Sequence, residues 1–118
     1  MPTHNSLKGK KEFSILFNQG RLYRGKNINL MICDSANQTR ATLFAICVSK
    51  KMGNAVKRNR IKRVTRAVMA EIKEPIITGK NIALMPLKSF IDCGFVEMIN
   101  QVRAVLQQAQ IMLINHKK

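Results

Sequence analysis

Residues 48–63 read VSKKMGNAVKRNRIKR, a stretch in which the end of an apolar run, a glycine and a cluster of basic residues follow one another. It continues an apolar run from Ala41 to Val48, which predicts a central strand buried on both faces. Met52-Gly53-Asn54 ends that strand with a turn. A long helix is then predicted from Ala55 to Lys73, because Pro75 cannot continue it. The stretch therefore predicts a strand, a glycine turn and a helix in direct succession.

The predicted helix is basic on one side. Between Val48 and Ala70 the chain carries eight basic residues and no acid, whereas a merely solvated helix face usually mixes both signs. At 100° per residue, one side is an aliphatic stripe made of Ile61, Val64, Val68 and Ile72. The opposite side, with Arg60 at its flank, consists of Arg58, Asn59, Lys62, Arg63 and Arg66. This arrangement predicts a helix that docks on the sheet and presents cations to a polyanion.

The composition supports that interpretation. The chain of 118 residues has 21 Lys and Arg against 6 Asp and Glu, a net charge of +15. The length predicts one domain over residues 1–118, with residues 1–6 and 115–118 loosely ordered. An acidic membrane is a weaker candidate partner than nucleic acid, because there is no apolar run of about 20 residues and no lipidation motif. The N-terminus lacks the apolar stretch of a signal peptide, which predicts a cytoplasmic protein.

The remaining pattern predicts a mixed α+β fold, with helices on a small sheet. A first helix is expected from Leu7 to Asn18, ended by Gly20. Alternation predicts a half-exposed strand over Ile28–Cys33, and a short strand is expected over Asn81–Met85. Asp92 is expected to be the N-cap of a final helix. The apolar stripe of that helix is predicted to be Phe95, Ile99, Val102, Leu106, Ala109 and Leu113.

The sequence offers no convincing catalytic or metal site. Its three cysteines lie far apart, and a metal site would need them to converge with two distant histidines. These residues are Cys33, Cys47, Cys93, His4 and His116. The carboxylates are mostly isolated, and Glu71 and Glu74 are better explained as a helix-end pair around Lys73. We therefore expect no catalytic residue and no metal ligand in the protein.

Residues 48–63 resemble the signature of the bacterial ribonuclease P protein subunit, V-(S/T)-K-K-x-G-x-A-V-x-R-N-R-x-K-R. The similarity extends to the first helix and to the order of elements along nearly the whole chain. It implies the order αβββαβα with a left-handed crossover through the basic helix. It also implies 5′ maturation of precursor tRNA, in which a large RNA with bound Mg²⁺ performs the hydrolysis. The protein would bind that RNA and the 5′ leader, with no membrane, no cofactor of its own and no obligatory protein partner.

The resemblance also implies two groups of binding residues. The catalytic RNA would contact Asn54, Lys57, Arg58, Asn59, Arg60, Lys62, Arg63 and Arg66. The leader would contact Phe13, Phe17, Lys26, Asn29, Met31, Ser49, Lys50 and Lys51. Met31 departs from the family, which often carries an aromatic residue there and so stacks bases better. Periodicity alone favours Phe13 and Phe17 as core residues, although two rings on one helix face can also stack unpaired bases.

Two other functions fit part of the pattern. A ribosomal or general RNA-binding protein would share the charge and the size, but would not prefer precursor over mature tRNA. A DNA-binding transcription factor is disfavoured, because the basic helix lacks a preceding helix and turn and no dimerisation seam is evident.

Overall fold

A computed structural model of the chain describes residues 5–7, 9–37 and 39–111. The strands in this part of the chain are β1 (Asn5–Ser6), β2 (Arg21–Arg24), β3 (Ile28–Asp34), β4 (Leu43–Ile46) and β5 (Lys80–Pro86). The α-helices are α1 (Lys10–Gln19), α2 (Ala55–Ala70) and α3 (Phe95–Gln108). Two short 3₁₀ turns, Lys50–Met52 and Phe90–Asp92, precede α2 and α3.

The described strands form one mixed sheet in the order β1-β4-β5-β3-β2. β5 pairs in parallel with β4 and antiparallel with β3, and β2 closes the edge as an antiparallel neighbour of β3. Because β4 and β5 are parallel neighbours, the chain must cross over between them, and α2 lies in that connection. The α+β fold and the order αβββαβα are confirmed, with β1 as an additional strand at the start. The left-handed crossover stays a prediction.

The sheet separates two apolar clusters. Ile28 and Leu30 of β3 face a core formed with α2 and α3, whereas Met31 and Cys33 belong to a smaller cluster under α1. This follows from the alternation of side chains along a strand. We call the second side of the sheet the α1 face; on β3 and β5 it carries Asn29, Met31, Cys33, Asn81, Ala83 and Met85.

The prediction of a central strand over Ala41–Val48, buried on both faces, is wrong in detail. The regular strand is Leu43–Ile46, and within it only Phe44 is buried. β4 lies one place from the edge, beside a strand of two residues, so its faces are only partly covered. The central strand is β5, in which residues 81–84 are all buried.

The N-terminal prediction also needs correction. Asn5 and Ser6 are not loose, because they pair in parallel with β4 and the next N–H, that of Leu7, donates to the Phe44 carbonyl at 2.6 Å. Leu7 is buried, and the helix expected from Leu7 begins instead at Lys10. Residues 1–4 and 115–118, also expected to be loose, lie outside the described residues.

The basic helix ends at Ala70, earlier than the predicted Lys73. The N–H groups of Glu71 and Ile72 donate to carbonyls three residues back, which tightens the last turn. Ile72 then points into the core and is 1% exposed. Ile72 is thus buried as the predicted stripe requires, although the regular helix has already ended.

Asp92 is not the N-cap of the final helix. That position belongs to Gly94, whose carbonyl accepts from the Met98 N–H at 2.9 Å. The preceding 3₁₀ turn buries Phe90 and moves the start of the helix along the chain. Val102 and Leu106 of the predicted stripe are buried, but Phe95 is exposed. Leu113 lies outside the described residues.

Within the described ranges, none of the helices combines the length and the apolar character needed to cross a membrane.

Candidate nucleic-acid interface

The turn between β4 and α2 is built by three residues of the sequence signature. Ser49 Oγ accepts from the Lys51 N–H at 3.2 Å and starts the first 3₁₀ turn. Gly53 has φ 130°, and a Cβ there would lie 2.9 Å from Lys57 Cδ. Asn54 Oδ1 accepts from the Lys57 N–H at 2.9 Å and caps α2. Serine, glycine and asparagine therefore fix where the basic helix begins.

α2 turns its aliphatic side inward, as predicted. Ile61 and Val68 are almost fully buried, and Val64 packs partly against the same core. Thr65 and Met69 are buried beside them, and Thr65 Oγ1 satisfies its hydroxyl by donating to the Ile61 carbonyl at 2.7 Å. The buried side is therefore wider than the predicted stripe.

The outer side of α2 is a row of exposed cations. We call it the basic ridge; it consists of Lys57, Asn59, Arg60, Arg63 and Arg66, all exposed. Arg58 and Lys62, predicted for the same side, are half-buried at its flank, because Thr65 and Met69 turn that flank toward the body. Arg58 Nε also donates to the Gly53 carbonyl at 3.2 Å. Asn54 is exposed, with its side-chain oxygen used by the helix cap.

Among the described residues, no carboxylate lies within 4.0 Å of a ridge cation. The ion pairs found there involve other cations and join Lys26 to Glu97, Lys80 to Asp34, and Arg103 to Glu74. Unbalanced cations side by side repel one another and attract polyanions. The ridge is therefore open to a phosphate backbone.

Two stacked rings border the α1 face. Phe13 and Phe17 have ring centroids 6.4 Å apart and planes inclined by 13°. Phe13 is half-buried and packs against the small cluster of Leu7, Leu16 and Ala83, whereas Phe17 is 45% exposed. Periodicity alone, which favoured both rings as core, is therefore wrong for Phe17.

Strand register places three further side chains on the α1 face. Arg24 of β2 lies opposite Asn29 of β3, which lies opposite Met85 of β5, so the three side chains share one face. We call the surface with Phe13 and Phe17 at its side and these three residues on its floor the α1 groove. Sequence reasoning missed Arg24 and Met85. Alternation within residues 81–85 could have found Met85, and the Gly20 and Gly25 that bracket residues 21–24 could have indicated β2.

The end of β4 leads directly into the turn that precedes α2. Burial raises the pKa of the Cys47 thiol, and the nearby charge of Lys62 partly opposes that rise. Lys62 of α2 therefore lies near the α1 face where Cys47 packs. Ser49, Lys50 and Lys51 are exposed in the turn that leads from β4 to α2. The cations of the turn thus follow shortly after Cys47, which packs against the same small cluster as Phe13, and precede the first residues of the ridge.

Two of the residues assigned to the leader are placed differently from the rest. Lys26 Nζ lies 4.0 Å from a carboxylate oxygen of Glu97 on α3, which packs against the opposite face of the sheet. Met31 is half-buried beside the end of α1, where a Cβ on Gly20 would meet its Cγ at 2.8 Å. The structure therefore does not bring Lys26 into the groove, and it leaves Met31 little free surface there.

No group of three His, Cys, Asp or Glu side chains gathers in the described part of the chain. His4 and His116 lie outside the described residues, so the expectation that the protein holds no metal ion stays a prediction.

The family model described as Ribonuclease P matches residues 1–110. The chain belongs to the ribonuclease P protein family. Among its relatives, the ribonuclease P protein component of Bacillus mycoides (strain KBAB4) is 32% identical over 98 residues, 83% of this chain and 84% of the relative. That of Finegoldia magna is 28% identical over 103 residues, 87% of this chain and 88% of the relative.

Solved ribonuclease P proteins share the fold. The Staphylococcus aureus RNase P protein superposes with a TM-score of 0.76 at 26% identity, over 94% of this chain and all of that one. The Thermotoga maritima protein reaches 0.74 at 21% identity, over 89% and 97% of the two chains. Membership gives this chain a role in a tRNA-processing ribonucleoprotein and disfavours both the DNA-binding factor and the ribosomal protein considered from the sequence.

Proposed function

We propose that the chain binds the catalytic RNA of ribonuclease P through the basic ridge and the 5′ leader of precursor tRNA through the α1 groove. Hydrolysis takes place on the RNA, with Mg²⁺ held mainly by that RNA, and frees the mature 5′ end of the tRNA. The observation that carries the proposal is the junction of two unlike surfaces. Unpaired cations lie on α2, a stacked ring pair with one exposed member lies on α1, and the turn from Ser49 to Asn54 leads from β4, which packs under α1, into α2.

The ridge suits a structured RNA backbone. Its side chains project from one rigid helix, and the buried side of that helix is fixed to the sheet by Ile61 and Val68. Each phosphate that a ridge cation neutralises releases a condensed counterion, so binding is strongly dependent on salt. Arginine forks add paired hydrogen bonds to phosphate oxygens.

The groove suits an unpaired strand. Single-stranded RNA exposes the faces of its bases, and aromatic side chains stack on them with little regard to sequence. Phe17 offers an open ring face, while Asn29 and Met85 offer an amide and a polarisable thioether on the floor. The lysines of the adjoining turn, Lys50 and Lys51, lie where the backbone of such a strand would enter.

The residues of the chain bind and orient the substrate, and they supply charge where two polyanions meet. Precursor tRNA and catalytic RNA repel each other, and a protein of net charge +15 between them reduces that repulsion. Free Mg²⁺ reduces the same repulsion. The protein should therefore matter most when Mg²⁺ is scarce.

Reconstitution from two purified components tests the proposal. The protein is mixed with a bacterial ribonuclease P RNA, and cleavage of precursor tRNA is followed over a range of Mg²⁺ concentrations. We expect stimulation that is largest at low Mg²⁺, and tighter binding of precursor than of mature tRNA. Stimulation without any other protein would support the absence of an obligatory protein partner. Equal binding of the two tRNAs would contradict the role of the groove.

A further inference from the structure

A buried polar chain joins α1 to the centre of the sheet. Asn81 of β5 is 1% exposed, and its side-chain amide makes two hydrogen bonds to other elements. Asn81 Nδ2 donates to Glu12 Oε1 at 2.8 Å, and Asn81 Oδ1 accepts from Arg40 Nη2 at 3.0 Å. A buried amide is costly unless both of its ends are hydrogen-bonded, so the three side chains form one unit. We call it the Glu12–Asn81–Arg40 chain.

The direction of this chain is fixed by chemistry. A guanidinium can only donate and a carboxylate can only accept, so the amide of Asn81 has a single orientation that satisfies both. Arg40 is anchored in turn, because its carbonyl accepts from the N–H of Gly79, the residue before β5, at 2.8 Å. Glu12 is therefore held at a defined point above the sheet.

The position of Glu12 controls how α1 is rotated about its own axis. Leu16, one turn after Glu12, is fully buried against the sheet, but an apolar contact has no preferred direction. The hydrogen bond from Asn81 to Glu12 does have a preferred direction. It holds the side of α1 that faces away from the exposed Phe17 ring. Phe17 lies about 140° around the helix from Glu12, so any rotation at Glu12 moves the ring as well.

We propose that Glu12, Asn81 and Arg40 are positioning residues for leader binding, and that they act by fixing the rotation of α1. They set the direction in which Phe13 and Phe17 face the groove, without contacting RNA themselves. The inference rests on the proposed function of those rings. It adds a set of residues outside the groove that determines the affinity for the leader.

A matched pair of variants at one position provides the test. Glu12→Ala and Glu12→Gln both remove the negative charge, but only glutamine keeps an oxygen that accepts from Asn81. Each variant is assembled with a bacterial ribonuclease P RNA, and three dissociation constants are measured: those for precursor tRNA, for mature tRNA, and for the catalytic RNA. We expect Glu12→Ala to bind precursor about 5- to 10-fold more weakly than Glu12→Gln. The other two constants should be equal for the two variants.

A second pair reverses the polarity of the chain. Asn81→Asp places a carboxylate opposite Glu12, and the two repel each other. In the double variant Glu12→Gln with Asn81→Asp, the glutamine amide donates to Asp and the geometry is restored. We expect the double variant to recover the precursor affinity that Asn81→Asp loses. Asn81→Asp buries a new charge and can unfold the protein. The comparison of Glu12→Ala with Glu12→Gln therefore remains decisive on its own.

Two results would overturn the inference. One is equal precursor affinity for Glu12→Ala and Glu12→Gln, which would show that the oxygen accepting from Asn81 has no effect on leader binding. The other is a parallel loss of affinity for precursor tRNA and for the catalytic RNA, which would indicate a general loss of folding. If the wild-type holoenzyme showed no preference for precursor over mature tRNA, the proposed function would fail and this inference with it.

Discussion

The rings of Phe13 and Phe17 lie nearly parallel, with centroids 6.4 Å apart, at the border of the α1 groove. The pair is asymmetric, because Phe13 packs into the small apolar cluster under α1 while Phe17 is exposed. One ring thus supports the other, and the outer ring is free to stack on a base.

Replacing the outer ring separates binding from stability. We expect Phe17→Ala to weaken binding of precursor tRNA by roughly 1–3 kcal/mol if one base stacks there. Thermal unfolding should change little, because the side chain is exposed. Phe13→Ala is the matched comparison and should lower both the precursor affinity and the stability. A large drop in the melting temperature of Phe17→Ala would instead indicate a core role.

The basic ridge should contribute to binding of the catalytic RNA through its charge. We expect Arg63→Ala or Arg60→Ala to weaken binding to the catalytic RNA and to reduce the slope of log affinity against log salt by about one unit per lost phosphate contact. Lys73→Ala removes an exposed cation outside the ridge and serves as the control. An unchanged slope for both ridge variants would argue against phosphate contacts there.

Strand β2 offers a cation on each face of the sheet. Arg24 lies in register with Asn29 on the floor of the groove, whereas Arg21 lies opposite Ile32 on the other face, with its guanidinium 6.0 Å from the Tyr23 ring. If the leader crosses the floor, Arg24→Ala should weaken binding of long leaders more than short ones, and Arg21→Ala should not. Affinities for a series of leader lengths provide the measurement. The same loss from both substitutions would point to a general effect of charge.

The backbone conformation at residue 53 favours glycine. Its φ of 130° is a conformation that residues with a side chain rarely adopt, and a Cβ there would also displace the Lys57 side chain, so we expect Gly53→Ala to destabilise the fold by about 1–3 kcal/mol. Gly94→Ala is the control, because a Cβ there meets nothing within 4 Å. Chemical denaturation of the two variants makes the comparison. Similar losses for both would show that neither the positive φ nor the crowding at Gly53 is important.

Acid should weaken the contact between α3 and the segment after α2. Burial raises the pKa of Glu74, but hydrogen bonds from the backbone and from Arg103, together with the charge of Arg103, outweigh it and lower that pKa. A carboxyl whose folded pKa is depressed stabilises the fold fully above its unfolded pKa, about 4.3, and this contribution is lost as the pH falls through the folded value.

Glu74→Gln should therefore lose less stability than wild type between pH 7 and pH 3. The pair is partly exposed, so the difference should be no more than about 1 kcal/mol. Urea unfolding at the two pH values measures it, with Glu71→Gln as a control that removes an exposed carboxylate nearby. Equal acid sensitivity of wild type and Glu74→Gln would show that the ion pair contributes nothing.

Much of the fold was predictable, because the long elements carry their own periodicity. The alternation of apolar and polar residues in β3 and the aliphatic stripe of α2 arise because each element buries one side. β1 has only two residues and no period to detect, and it exists because β4 offers an edge to pair with. The start of α3 was misplaced because burial of Phe90 shapes the preceding turn, and no local capping signal reports that burial.

The site could be predicted from the sequence where the charge of the residues and their spacing along the helix are enough to place them. The outer position of Arg63 and Arg66 follows from the helical period alone, but the partial burial of Arg58 and Lys62 depends on how Thr65 and Met69 pack. The Glu12–Asn81–Arg40 chain could not be predicted, because its hydrogen bonds join residues 41 and 69 positions apart. Only the folded sheet brings them together.

The parallel pairing of β4 and β5 bears on how the chain reaches this fold. Leu43 pairs with Asn81, 38 positions later, whereas Arg24 and Asn29 of the β2–β3 hairpin are only 5 apart. Contacts that are distant in sequence form slowly, because the intervening segment must first be ordered. We therefore expect the hairpin to form early and the β4–β5 pairing late. The late step closes a loop that contains the whole of α2, so mutual repulsion among the side chains of that helix should slow refolding and added polyanions should speed it.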